Sequence, residues 1–200
     1  MGNDYQFGRA KLARLDTVHM APLTKFVNGI AKAEGHNQLG AIPEVPYFDP
    51  DDGGTDARVL FLMHTCITKA DAGVNGSGLI SMENPDYTAQ YIGRAHHLLR
   101  VDRKLCAYWN ITPFPAEKKP ASAVEQRRAA EYTREVLKLF PNLERIVLMG
   151  DSAKDGWKRQ RVNHGIDPEH VFLPGKQSVG RGDLVTKYRE LMSNVAGMCR

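Results

Sequence analysis

Four stretches of this 200-residue chain set hydrogen-bonding or reactive side chains close behind an apolar run or at the start of a helix. In "ARVLFLMHTCITKAD", residues 57–71, the apolar run Val59–Met63 gives way at once to His64, Thr65 and Cys66, then Lys69 and Asp71. In "AYWNITPF", Asn110 follows a second apolar run. One planar amide carries both donors and an acceptor, so Asn110 can pair with the amide edge of a ligand. Capping a turn is the commoner use of such a residue. In "MGDSAKD", glycine precedes a helix start bearing Ser152 and Lys154, where free N–H groups can meet an anion. "LPGKQSVGRGD" sets Lys176, Ser178 and Arg181 among glycines, a composition suited to phosphate contacts.

The apolar runs themselves define the elements that must hold these groups. Strands are expected at Arg58–Met63, Leu105–Asn110, Arg145–Met149 and His170–Leu173, the first reading as a strand buried on both faces. Helices separate and follow them. One spans about Asn84–Leu99, with Asn84 as cap and Pro85 at its first position. Another opens at "SAVE", where Ser122 and Glu125 have capping-box spacing, and runs to Phe140. A third starts at "GDSAKDGW" with Asp151 or Ser152 as cap, and a last covers Leu184–Val195. A helical segment near Thr24–Ala33 precedes them all. Strand–helix alternation of this kind implies a parallel sheet with helices on both faces, and ligands at the strand carboxyl ends.

Composition narrows the function classes. Hydrophobic content of 42% and charged content of 25% are ordinary for a globular protein. Nothing in the sequence approaches a membrane span or the apolar core of a secretory signal, so a cytoplasmic protein is expected. Cys66, Cys106 and Cys199 are widely scattered, which argues against a disulfide framework, a zinc site or an iron–sulfur cluster. Gly73, Gly76 and Gly78 lack the spacing of a phosphate-binding fingerprint. Residues 1–100 carry a net charge of −2 and residues 101–200 a net of +6, which permits a polyanion-facing surface in the second half.

The segments "VPYFDPDDGGTDARVLFLM", "GSGLISMENPDYTA", "AYWNITPF" and "LFPNLERIVLMGDSAK" follow one another in an order and spacing that resembles the uracil-DNA glycosylase superfamily, in its compact uracil-DNA glycosylase-like branch. The likeness covers residues 43–192. It implies one domain, with an N-terminal helical segment 1–42 and a core 43–198. It further implies a three-layer α/β/α sandwich around a four-stranded parallel sheet of order 2-1-3-4. The implied activity is extrusion of a DNA base into a pocket and hydrolysis of its N-glycosidic bond. DNA is the implied partner, no cofactor or metal is required, and a monomer is expected.

Carried over residue by residue, the resemblance gives Asn110 the role of reading the base edge and puts Ser152, with neighbouring Lys154, at phosphate contacts. Where the family has Gly-x-Asp/Asn/Ala-Pro, this chain reads Met63, His64, Thr65, Cys66. Thr65 thus stands at the water-activating position, Ile67 where some branches screen C5 of the base, and Leu79 where a stacking Phe is usual. His-Pro-Ser becomes Lys176, Gln177, Ser178. His64 or Lys176 would stabilise the leaving base and Asp71 could position water, though a satisfied structural histidine, a phosphate contact and a solvated turn residue are their plainer roles. The expected function is a glycosylase acting on a base other than plain uracil, such as a C5-modified pyrimidine in foreign DNA. A homologue that binds damaged or modified DNA without cleavage is the alternative, and an unrelated small-molecule enzyme of the same architecture a third.

Overall fold

The structure, a computed structural model, describes residues 4–35, 44–65, 77–116, 120–174 and 182–198. Two helices lead the chain, α1 (Asp4–Leu12) and α2 (Ala21–Glu34). Next come a short strand β1 (Tyr47–Phe48), strand β2 (Val59–Thr65) and a second short strand β3 (Leu79–Ile80). Helix α3 (Tyr87–Leu99) leads to β4 (Cys106–Thr112), the helix pair α4 (Ala123–Arg128) and α5 (Ala130–Lys138), and β5 (Arg145–Met149). Helix α6 (Asp151–Gln160), β6 (Glu169–Val171) and α7 (Gly182–Gly197) complete the described order.

Strands β4, β2, β5 and β6 lie side by side in that order, and every pairing is parallel. Counted along the chain, these are the second, first, third and fourth strands of the sheet. Side chains along each strand point to alternate faces, and both faces are buried. Leu60, Leu62, Ala107, Trp109, Ile111, Ile146 and Leu148 pack with residues of α2, α5 and α6. Val59, Phe61, Cys106, Tyr108, Val147 and Met149 pack on the other side with residues of α3 and α7. Helices therefore cover both faces, as crossovers between parallel strands require. The Cys106 side chain is a buried small apolar group in this core.

Differences from the sequence reading have local causes. Strands β2 and β4 run past their apolar residues, because the ladder continues through Met63↔Asn110 to Thr65↔Thr112. His64, expected beyond the first strand, is therefore a strand residue like Asn110, held more rigidly than a loop residue would be. Helix α3 is capped by Asp86, whose carboxylate accepts from Ala89 N–H, and not by Asn84. The Asn84 amide is engaged elsewhere, donating to the Leu79 carbonyl and accepting from the Ser77 hydroxyl. Helix α6 has neither Asp151 nor Ser152 as cap: Gly150 holds that position at φ +87°. That φ favours glycine, and a Cβ there would also meet Leu173 Cβ at 3.0 Å. The capping box of Ser122 and Glu125 forms as its spacing requires, but the helix breaks at Ala129 into α4 and α5. Strands β1 and β3 pair with each other in parallel, a feature too short for periodicity to reveal.

Candidate functional site

A cavity of about 770 Å³ opens at the carboxyl edge of the sheet. Met63 and His64 of β2, Asn110 of β4, Met149 at the end of β5 with Gly150 after it, and Leu173 beyond β6 line it from the strand side. The segment Gly78–Met82 and the first turn of α3 form the facing wall. The sheet's parallel order brings these strand ends together, and the tight turn at Gly150 brings the start of α6, with Ser152, to the rim.

Most polar groups on this wall already have protein partners. The Ser81 hydroxyl accepts from Glu83 N–H at 3.1 Å, and Asp86 caps α3. Thr88 donates to the Pro174 carbonyl at 2.7 Å. The Tyr108 hydroxyl lies 2.7 Å from His96 Nε2, and His96 Nδ1 is 3.2 Å from the Val101 carbonyl. A carbonyl only accepts, so Nδ1 carries the His96 proton and Tyr108 donates to Nε2. Burial pushes the His96 pKa down to about 4, so this ring is neutral. His64, 9% exposed, accepts at Nε2 from Ala121 N–H at 3.3 Å and from the Gln126 amide at 3.4 Å.

Asn110 differs from all of these. It is 4% exposed, lines the cavity, and its amide makes no hydrogen bond to the protein. Its amide opens on the cavity, where a ligand with a complementary edge could pair with it. The rest of the described lining is predominantly apolar, with Met63, Leu79, Met82, Ile92 and Met149 in it.

A second polar cluster resembles a metal centre and is not one. Asp49, Asp51 and Glu83 bring carboxylate oxygens within 4.8 Å of one another. The Lys11 ammonium already stands among them, 2.7 Å from Asp49, 2.9 Å from Asp51 and 3.1 Å from Glu83. Burial opposes the Lys11 charge, but hydrogen bonds to Asp49 and Asp51 outweigh it and raise its pKa. Arg103 closes the cluster through Asp49 at 3.0 Å, Asp52 at 2.8 Å and Glu83 at 2.7 Å. Burial pushes the Asp52 carboxyl up against the opposing pull of Arg103. A cation and its ligands are thus built into the chain, and the cluster ties α1 to the segments flanking β1 and β3.

Of the residues singled out by sequence, His64, Leu79, Asn110 and Ser152 come together on the cavity. Lys154 sits in the first turn of α6 but not on the cavity wall; together with burial, its charge lowers the pKa of His170. Thr65 ends β2 as backbone. The Thr65 side chain, Ile67, Asp71, Lys176, Ser178 and Arg181 lie outside the described residues. Sequence reasoning missed Met82, Asp86, Tyr87 and Tyr108 on the wall and Gln126 behind it. The signal for the first three was the helix start after β3, since the first turn of a helix facing strand ends is a natural cavity wall. No protein-family model matches the chain, and no curated protein matches it in sequence.

Proposed function

We propose that the protein is a DNA glycosylase of the class its sequence resembles, in which a nucleobase extruded from DNA enters the cavity at the sheet's carboxyl edge. The observation that carries this reading is the amide of Asn110, held at the end of a strand, opening without a protein hydrogen bond on a predominantly apolar cavity. A nucleobase fits that demand. It has a flat apolar body and one edge of alternating donors and acceptors, which a single amide can read. Leu79 would lie against the base where a ring would stack in relatives, forfeiting stacking worth roughly 1–3 kcal/mol. The cavity is several times the volume of a pyrimidine, which supports a base larger than uracil, including one extended at C5.

In the reaction, the bond from the sugar C1′ to the base nitrogen breaks, the electron pair leaves with the base, and water adds at C1′. The protein's task is to hold the base by its edge and to meet the charge that grows on it with hydrogen-bond donors already in place. Asn110 supplies such a donor from a strand, where its backbone is held in register with Met63 of β2 by the sheet ladder.

A second reading is binding of a modified base without cleavage. Its support is that the two carboxylates on the described wall are poorly suited to position water: Asp86 caps a helix, and the Asp151 side chain is 92% exposed. Mass spectrometry of bases released from DNAs of varied modification separates the two. A free base, with an alkali-sensitive nick in the DNA, is the expected result. DNA retained with no base released would establish the second reading, and neither release nor retention would overturn both.

A further inference from the structure

Helix α3 brings one aromatic ring to the mouth of the cavity and gives it nothing to pack on. Tyr87 opens the helix, lines the cavity and is 38% exposed. Its side chain makes no hydrogen bond and stacks on no other ring among the described residues. Tyr91, one turn further along the same face, is packed instead, with ring centroids 5.7 Å from Tyr188 and 6.3 Å from Phe172. Among the described aromatic side chains, Tyr87 is the exposed one.

The backbone that carries Tyr87 is anchored on both sides. Asp86 before it accepts from Ala89 N–H at 2.9 Å, and Thr88 after it donates to the Pro174 carbonyl at 2.7 Å. The residue's place at the mouth is therefore set by the fold. Asn110 faces the same space. Side chains alternate along a strand, so Asn110 shares the side of Cys106 and Tyr108, which pack in the core that α3 covers. An amide 4% exposed and an aromatic ring at the mouth thus bound one cavity. An amide recognises an edge, and an aromatic ring recognises a flat face. A planar heterocycle offers both.

We propose that Tyr87 determines specificity by stacking on the face of the base whose edge Asn110 reads, an inference that rests on the reading of the cavity as a base site. The stacking forfeited at Leu79 is then supplied from α3. Stacking depends on the π-face of the ligand and not on its hydrogen-bonding groups, so it tolerates different bases. It does distinguish an aromatic pyrimidine from its 5,6-dihydro form. Saturation of the C5–C6 bond leaves O2, N3–H and O4 in place but puckers the ring, so the edge is kept and the flat face is lost. Extension at C5 keeps the face, so Tyr87 accepts the modified pyrimidines for which the cavity has room.

The test is methyl NMR on the full chain labelled at methionine, because Met63, Met82 and Met149 line the same cavity and report its occupation. The probes are short single-stranded oligonucleotides carrying one uracil, 5,6-dihydrouracil, thymine or 5,6-dihydrothymine. Each base sits on 2′-fluoroarabinose, whose fluorine disfavours positive charge at C1′ and so keeps the base on the sugar. In methyl-shift titrations, wild type should bind the aromatic member of each pair about tenfold tighter than the saturated one. Tyr87→Phe should keep that preference. Tyr87→Ala should bind both members alike, and because the ring is exposed the variant loses no core packing. Equal binding of a pair by wild type, a preference unchanged in Tyr87→Ala, or one lost in Tyr87→Phe overturns the role of the ring and leaves the base site standing. No methyl shift with any probe overturns both. The expected preferences with no base released from DNAs of varied modification would keep the role of Tyr87 and sink cleavage instead.

Discussion

Two polar regions of the molecule are built on opposite lines. Around β1 and the approach to β4, Lys11, Asp49, Asp51, Asp52, Glu83 and Arg103 form a dense group of charges in which carboxylates meet cations at 2.7–3.1 Å. At the strand ends, a mostly apolar cavity holds one buried amide with no partner. The first group has the residue types of a metal centre, and its demand is met by the chain. The second has little that a motif search would notice, and its demand is unmet. Buried polar groups that satisfy one another serve architecture, whereas a rigid buried polar group left open on a cavity marks a ligand's place.

The contrast can be broken at its strongest point first. Arg103→Ala would strip Asp49 and Asp52 of a shared cation and should cost about 3–5 kcal/mol in chemical denaturation, the usual penalty for orphaning a buried ion pair. A loss below about 1 kcal/mol would show that the cluster is solvated and not architectural.

The satisfied histidine beside Tyr108 gives a pH signature of the same kind. His96 has a folded pKa of about 4 against an unfolded value of 6.5. The unfolded chain therefore binds the proton first. The contribution is fully present above pH 6.5 and is lost as the pH falls from 6.5 toward 4, amounting to about 3 kcal/mol over that window. Denaturation curves from pH 8 to 4 should show this slope, and His96→Gln should flatten it. An unchanged slope in the variant would assign the effect to other groups.

The smallest effect on stability is expected at the residue of greatest functional interest. Asn110→Ala removes no protein hydrogen bond, so the unfolding free energy should stay within about 1 kcal/mol of wild type. A loss of several kcal/mol would mean that Asn110 is structural, and the distinction between the two regions would collapse.

Much of the architecture was legible in the sequence because the strands are buried on both faces and read as unbroken apolar runs. Val59–Met63 and Ile146–Met149 are clear examples. The strand end was not legible at His64, since a parallel ladder continues through polar residues as long as the backbones pair. Helix starts depended on which polar side chain reached the first free N–H. Asp86 and Asn84 were equal candidates by type, and the engagement of Asn84 with Leu79 and Ser77 decided between them. Of the site, Leu79 came only from the family resemblance, whereas Asn110, His64 and Ser152 could be read from their places at strand ends or at a helix start. Gln126 could not, because a glutamine in the interior of a helix pattern gives no sign that it faces a histidine 62 residues away.

The proposed role of Asn110 in reading the base is tested most directly by single-turnover base release by wild type and Asn110→Ala, from DNA carrying uracil or C5-modified pyrimidines. Loss of a donor aimed at the leaving group should slow release on the order of 10²-fold or more, with the wild type favouring a modified base over uracil. Equal rates in the two proteins would contradict the account.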